Sequence, residues 1–145
     1  EEANMAILPE DKPQYDKIAM PISVRRVDDA EDFKFWANIS NTVLHDGYPI
    51  IHPINHYPLS QNGVMPCYIA YYNGTAASVC SIINNKDISS LEFVATLDGF
   101  RRRGLARAVC LTAINEAIKN DSKIITLRAF AEAKKLYQAI GFRIY

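Results

Sequence analysis

Four arginines and one glycine within seven residues form the part of the sequence best suited to chemistry. Residues 101–103 are all arginine, Gly104 follows, and Arg107 lies three positions further on. An apolar strand pattern over residues 91–97 precedes them, and a long apolar helix pattern comes after. The first N–H groups of a helix have no partner inside the helix, and the helix dipole is positive there. Because glycine also lets a phosphate approach the backbone closely, the stretch predicts a phosphate site. A solvated basic turn is the alternative.

The charge balance limits the class of partner. The chain has 145 residues, with 16 Lys plus Arg and 16 Asp plus Glu. Zero net charge argues against nucleic acid, because domains that bind it are usually basic overall. The local arginine cluster indicates a small polyanion instead. No apolar run approaches the ~18 residues of a membrane span, and no signal peptide is visible. We therefore expect no membrane partner and a cytoplasmic location.

The cysteines and histidines do not predict a metal site. Cys67, Cys80 and Cys110 are far apart and lack C-x-x-C spacing, so they fit neither a disulfide framework nor a zinc site. Each lies in an apolar pattern and is predicted to be a reduced core residue. The three histidines, His45, His52 and His56, have spacings of seven and four, which match no recognised metal motif.

The order of elements predicts an α+β (mixed α/β) fold with a mostly antiparallel central sheet flanked by helices. Asn73-Gly74 between two apolar runs is a strong hairpin signal. The predicted strands are 22–27, 65–72, 75–83, 88–97, 124–127 and 142–145. The predicted helices begin after Asp28 or Asp29, after Gly104 and at Ala131.

Two segments are predicted to be less regular. Residues 1–19 contain Pro9 and Pro13, so we interpret them as an N-terminal arm or linker, although residues 4–8 could form a short strand. Residues 20–145 then form one domain. Within it, residues 45–64 contain three prolines and two glycines. That segment is predicted to combine ordered loops with a short helix and to form a wall of the pocket.

Two motifs carry a family resemblance. R-R-R-G-L-A at residues 101–106 matches R-x-x-G-x-A, and A-x-x-L-Y-x-x-x-G-F follows one helix and one short strand later. The second motif is formed by Ala133, Leu136, Tyr137, Gly141 and Phe142. Their order and spacing resemble those of the GNAT superfamily of acyl-CoA N-acyltransferases. The motifs carry the resemblance over residues 88–145, while residues 20–87 match only in the order of their elements.

The resemblance implies a GNAT-like fold and acetyl-CoA as co-substrate, with no metal. The pantetheine of the cofactor is implied to lie along Val94, Ala95 and Thr96. The implied pyrophosphate site comprises Arg101, Arg102, Arg103, Gly104, Leu105, Ala106 and Arg107. One position departs from the family pattern, because Phe130 stands where many members have Asn.

The resemblance also implies two catalytic residues, Tyr137 as the acid that protonates the departing thiolate and Glu92 as the base for the amine. A tyrosine has a reference pKa of about 10, close enough to a thiol for proton donation. By strict alternation Glu92 shares a strand face with Val94 and Thr96, although a bulge would change its facing. A core tyrosine and a solvent-facing glutamate are the respective alternatives. The oxyanion is expected to meet the backbone N–H of Thr96 or Val94.

These features predict an N-acetyltransferase that transfers acetyl from acetyl-CoA to a primary amine by direct attack, on a small molecule or a peptide. A histidine of the 45–64 segment could serve as base or shape the acceptor pocket. The alternative is a non-catalytic acyl-CoA sensor or interaction domain. Phosphate or nucleotide binding without CoA is disfavoured, because no G-x-x-x-x-G-K-[ST] stretch is present. The short final strand leaves a homodimer open.

Overall fold

Within the described residues, 2–11 and 17–145, seven strands form one sheet in this computed structural model. The strands are β1 (Glu2–Ile7), β2 (Ile22–Arg26), β3 (Cys67–Tyr72), β4 (Thr75–Asn85), β5 (Ile88–Thr96), β6 (Ile124–Phe130) and β7 (Arg143–Ile144). The α-helices are α1 (Ala30–Leu44), α2 (Pro53–Gln61), α3 (Leu105–Lys119) and α4 (Lys134–Ile140). Short 3-10 turns lie at Pro9–Asp11, Asp98–Phe100 and Ala131–Ala133.

The sheet has the order β2-β3-β4-β5-β6-β1-β7. Every neighbouring pair is antiparallel except β5 and β6, which run parallel. The β3–β4 hairpin turns at Asn73 and Gly74, which have φ angles of 48° and 82°. Positive φ at both positions is what a tight hairpin turn requires. The predicted α+β class with a mostly antiparallel sheet is confirmed.

Strand β1 lies inside the sheet, between β6 and β7. Met5 and Ile7 alternate with more exposed neighbours and are 0% and 1% exposed, so burial of this strand face anchors it. The short strand expected near residues 4–8 is therefore β1. Residues 2–7 belong to the sheet and not to an arm, while residues 12–16 of the predicted arm lie outside the described residues.

Apolar layers cover both faces of the sheet. One layer contains the buried faces of α3 and α4, and the other contains α1 with the start of the α2 region. Consecutive residues of β4 alternate between the layers: Val79 packs with α1, whereas Cys80 packs with α3. Cys67, Cys80 and Cys110 are all buried free thiols, so their predicted core positions are confirmed.

A β-bulge interrupts the pairing of β4 with β5. Val79 pairs with Ala95, but Ser81 pairs with Glu92, so Cys80 alone stands opposite two residues. One of those two, Phe93, has a φ of 55°, a region that non-glycine residues seldom enter. An extra residue in one strand shifts the alternation of every side chain beyond it.

The bulge makes the strict alternation predicted for β5 wrong. Leu91 lies in the α3 layer, whereas Phe93 and Ala95 lie in the α1 layer, although the prediction put all three on one face. Glu92 is directly opposite Ser81, and residues so paired share a face. Ser81 lies between Val79 and Ile83, which both pack in the α1 layer. Glu92 therefore faces α1, on the opposite side from Val94, which packs in the α3 layer.

Trp36 of α1 packs over the bulge. Its side chain is fully buried, and its indole N–H donates to the carbonyl oxygen of Cys80 at 2.9 Å. The indole stacks on Phe33 with ring centroids 5.4 Å apart, and it meets Phe93 edge-on at 5.6 Å. Trp36 thus joins α1 to both strands at the point where their register shifts.

Replacing Trp36 by Phe removes the donor to Cys80 and leaves a cavity. We expect the free energy of unfolding to fall by about 2–3 kcal/mol, measured by urea denaturation. Phe35→Ala is the matched control, because Phe35 is 54% exposed and should change stability by less than about 0.5 kcal/mol. Equal losses in both variants would contradict the role given to the indole.

Candidate active site

The candidate site is an opening between β5 and β6. These strands pair only at Ile88–Ser90 against Ile124–Thr126, and β6 then continues to Phe130 beside β1. From Leu91 to Thr96 the β6-facing edge of β5 has no partner strand in the described sheet. An unpaired strand edge presents backbone N–H and C=O groups that seek hydrogen bonds. The opening therefore offers a row of backbone groups to an extended ligand.

A cavity of about 600 Å³ occupies this opening, a size typical of a small-molecule site. Its walls are formed by Val43, Leu44, Val94, Ala95, Thr96, Phe100, Arg101, Arg102, Gly104, Leu105, Ala106, Arg107, Glu132, Ala133, Leu136 and Tyr137. The structure thus brings together Tyr137 and every predicted cofactor residue except Arg103.

The first turn of α3 forms one end of the cavity. Gly104 precedes this 15-residue helix with a φ of 80°, and no side chain caps the helix there. The turn before it also contains Arg102 at a φ of 62°. A side chain added at Gly104 would have space, since its nearest neighbour is Ile22 Cδ1 at 4.0 Å. Glycine is therefore favoured here by the left-handed backbone, and the uncapped turn suits an anion.

The arginines of the loop differ in their contacts. Arg101 pairs with Asp98 at 3.1 Å and, like Arg102, lines the cavity. Arg103 turns away, with its guanidinium 4.8 Å from the centre of the Tyr72 ring and a hydrogen bond of 3.3 Å to the Tyr72 hydroxyl. Positive charge at the cavity therefore comes from Arg101, Arg102 and Arg107, and Arg103 stacks on the neighbouring aromatic surface.

Tyr137 lines the cavity from α4 and is 7% exposed. Its ring meets Phe142 edge-on at 5.9 Å, and its carbonyl caps the helix by accepting from Gly141 N at 3.1 Å and Phe142 N at 3.0 Å. Burial raises the pKa of the Tyr137 hydroxyl, and the nearby thiols of Cys110 and Cys80 and the Glu92 carboxylate raise it further. The phenol therefore stays protonated at neutral pH and can donate a proton.

Glu92 lies next to the cavity but does not line it. Its side chain is half-buried on the α1 side of β5, and it makes no hydrogen bond or ion pair with the described residues. It is close enough to Tyr137 to influence that hydroxyl electrostatically. The two predicted catalytic groups are thus near each other, with one inside the cavity and one beside it.

Several wall residues were missed by reasoning from the sequence. Val43 and Glu132 line the cavity, but neither belongs to a motif that predicted a site. Phe130, the departure from the family pattern, is 59% exposed and lies outside the cavity wall. These positions depend on how α1 and α4 meet the open edge of β5, which no local pattern encodes.

The 45–64 segment contains α2, in agreement with the predicted short helix. Asn41 of α1 anchors its start by exchanging two hydrogen bonds with Ile51, at 2.9 and 3.1 Å. The Nε2 atom of His45 is buried and makes no hydrogen bond to the described residues, and the N–H of His52 donates to Nδ1 of His56 at 2.9 Å. None of these histidines lines the cavity.

The described residues contain neither a cluster of metal ligands nor a helix that could span a membrane. Across residues 2–11 and 17–145, no three His, Cys, Asp or Glu side chains are grouped so as to hold a metal ion. In the same ranges, none of the helices has the length and apolar character needed to cross a membrane.

Comparison with known structures identifies the fold. A GCN5-related N-acetyltransferase from Sphaerobacter thermophilus superposes with a TM-score of 0.80 at 15% identity, covering 99% of this chain and 48% of that one. A predicted acetyltransferase with acetyl-CoA from Clostridium acetobutylicum has a TM-score of 0.68 at 19% identity, with coverages of 84% and 90%. The aminoglycoside N-acetyltransferase AAC(6')-Iy, in complex with CoA, has a TM-score of 0.71 at 16% identity, with coverages of 84% and 88%.

The extent of these matches varies. The chain spans between 48% and 61% of the length of four of the similar structures. A search of curated protein sequences gave no match.

The family model described as an acetyltransferase (GNAT) domain matches residues 54–144, which is more than half of the sequence. The chain therefore belongs to the GNAT acetyltransferase family.

Proposed function

We propose that this chain is an N-acetyltransferase that transfers acetyl from acetyl-CoA to a primary amine by direct attack. One observation carries the proposal: a single cavity joins the open edge of β5, the uncapped first turn of α3 and the Tyr137 hydroxyl. These three features suit three parts of a CoA thioester. The strand edge offers backbone hydrogen bonds to the pantetheine amides, the helix start offers an anion site to the pyrophosphate, and Tyr137 offers a proton to the thiolate.

The described residues fit CoA along its length. Pantetheine amides can pair with the backbone of Val94, Ala95 and Thr96, because that edge of β5 has no partner strand. The pyrophosphate suits the first N–H groups of α3, and Arg102 adds positive charge from the wall. Acetyl-CoA supplies the activated acyl group, and the protein contributes placement and proton transfer.

Tyr137 is proposed as the acid. As the amine nitrogen bonds to the acyl carbon and the carbon–sulfur bond breaks, the electron pair of that bond leaves with sulfur. The Tyr137 proton then neutralises the thiolate. Because the pKa of its hydroxyl is raised, Tyr137 is still protonated when the thiolate leaves. The oxyanion is proposed to accept a hydrogen bond from the backbone N–H of Thr96 or Val94.

Glu92 is proposed as the base that receives the proton of the attacking amine, directly or through one water. Its position on the α1 side of β5 separates it from the cavity that suits the cofactor. The acceptor amine would then approach from the side of α1 and the 45–64 segment. Tyr48 and Ile50 of that segment are 69% and 57% exposed and offer apolar surface to a small-molecule or peptide acceptor.

A non-catalytic acyl-CoA sensor is the second candidate. It is favoured by the position of Glu92 outside the cavity wall, since a sensor needs the cofactor site but no base. The two functions differ in whether acetyl-CoA is consumed in the presence of amines.

Turnover and its dependence on Tyr137 test the proposal. With acetyl-CoA and a panel of amino acids, polyamines, aminoglycosides and peptides, we expect release of free thiol. Tyr137→Phe should lower kcat about 10²-fold or more with acetyl-CoA affinity unchanged, and binding is followed by thermal shift. Binding without turnover across the panel would favour the sensor. No thermal shift at high excess of acetyl-CoA would contradict both functions.

The pH profile tests the protonation state of Tyr137. Its pKa is raised above the usual value of about 10, so the acid form persists as pH rises and is lost only above that value. We expect kcat to show no basic limb from Tyr137 below about pH 10. A basic limb near pH 8 that disappears in Tyr137→Phe would be inconsistent with this assignment.

The two neighbouring arginines should contribute unequally to binding. Arg102→Ala removes charge from the cavity wall and should raise the Kd for CoA about 5- to 10-fold, measured by calorimetry. Arg103→Ala is the matched control, because Arg103 stacks on Tyr72 instead, and it should change the Kd less than about 2-fold. Equal losses, or a larger loss in Arg103→Ala, would show that the loop binds CoA differently.

A further inference from the structure

Three polar residues lie in one row across the α1 side of the sheet. Cys67 of β3 pairs with Ser81 of β4, and Ser81 pairs with Glu92 of β5. Ser81 is 0% exposed, and its hydroxyl oxygen has no hydrogen-bond partner among the described residues. A buried hydroxyl without a partner is costly, and such groups in folded proteins usually have a specific reason.

The surroundings of Ser81 leave few acceptors for its hydroxyl. Its neighbours on the same face of β4, Val79 and Ile83, are apolar. On β3 the thiol of Cys67 already donates to the carbonyl of Met65 at 3.3 Å. The remaining side-chain neighbour across the strands is the Glu92 carboxylate, which itself has no partner in the described residues.

The side chains of Ser81 and Glu92 are close enough to form a hydrogen bond. Directly opposite residues of an antiparallel pair have Cβ atoms about 4.5–5.5 Å apart. Rotation about the Cα–Cβ bond of Ser81 and the flexible side chain of Glu92 can close the gap to a direct hydrogen bond. Because the bulge puts Glu92 on the α1 face, it is also the bulge that brings the carboxylate opposite Ser81.

We propose that Ser81 is a positioning residue for Glu92, with its hydroxyl rotating to donate a hydrogen bond directly to the carboxylate. This inference rests on the proposed function, in which Glu92 is the base. The bond holds the carboxylate in one orientation toward the acceptor amine and favours its ionised, proton-accepting form.

Other ionisable groups lie near the row formed by Cys67, Ser81 and Glu92. Burial raises the pKa of the Cys67 thiol to about 12, so that thiol is neutral in the working range. Tyr137 lies on the cavity side of β5 and stays protonated, and Asp32 of α1 is held by Arg25 at 2.7 Å. His45 follows the end of α1, and its buried Nε2 makes no hydrogen bond to the described residues.

The test uses Ser81→Ala, with Ser60→Ala as matched control. Ser60 of α2 is also buried, at 2% exposure, and its hydroxyl likewise has no partner among the described residues. It belongs to α2 and lies near the Cys67 thiol, at the far end of the row from Glu92 and outside the strand pairing. We expect Ser81→Ala to lower kcat/KM about 10-fold and to move the acidic limb of its pH profile upward by about one unit. Ser60→Ala should leave both unchanged.

Further variants separate positioning from structure. Ser81→Thr keeps the hydroxyl and should have the wild-type pH profile. Ser81→Ala in a Glu92→Gln background should lower kcat/KM no further than Glu92→Gln alone. Thermal unfolding is recorded for each variant, and Ser81→Ala should not unfold at a lower temperature than wild type. His45→Gln should leave the acidic limb in place, so that the limb belongs to Glu92.

Each outcome bears on a distinct claim. If the wild-type chain turns over acetyl-CoA but the acidic limb of kcat/KM lies at the same pH in Ser81→Ala, this inference alone is wrong. The inference is also wrong if Ser60→Ala has the same effect, or if the loss in Ser81→Ala persists in the Glu92→Gln background. An absence of turnover by the wild-type chain overturns the proposed function, and this inference with it.

Discussion

The structure depends on one irregularity in β5, where Phe93 and Val94 stand opposite Cys80 alone. The bulge changes which face of the sheet each later residue of β5 takes, and β5 and β6 have already separated after three paired positions. Val94 therefore lies on the α3 side, beside the open edge of β5 that borders the cavity. The positive φ of Phe93 is a local cost, and the contacts of Trp36 with Phe93 and Cys80 help to offset it.

The bulge also assigns the two catalytic candidates to different sides of β5. Val94 remains on the α3 side, where α4 brings Tyr137 to the cavity, while Glu92 faces α1. An acid on the cofactor side and a base on the acceptor side suit an acyl transfer in which the amine attacks from one face and the thiolate leaves from the other. The same shift aligns Glu92 with Ser81, so the irregularity links the cavity, the proposed base and its proposed positioning residue.

Much of this could be predicted from the sequence, because local patterns encode local structure. Asn73-Gly74 predicted the hairpin, and Gly104 after three arginines predicted the loop and the start of α3, which line the cavity. The facing of Glu92 could not be predicted, since alternation assumes a regular strand and the bulge is imposed by pairing with a distant strand. Residues 2–7 were likewise predicted to belong to an arm or linker. They form β1 of the sheet, whose partners β6 and β7 come more than a hundred residues later in the sequence. Only the tertiary structure shows that Arg103 stacks on Tyr72 while Arg102 lines the cavity.

The central claim is that the open edge of β5 and the first turn of α3 bind one CoA molecule together. Backbone amide NMR during a titration with CoA tests it most directly, because each N–H along the path reports its own environment. We predict saturable shifts that follow a single binding curve at Val94, Thr96, Leu105 and Ala106, with smaller changes along β2 and β3. Shifts confined to the α3 turn, with the amides of β5 unchanged, would mean that the cavity takes only a phosphate and would contradict the claim.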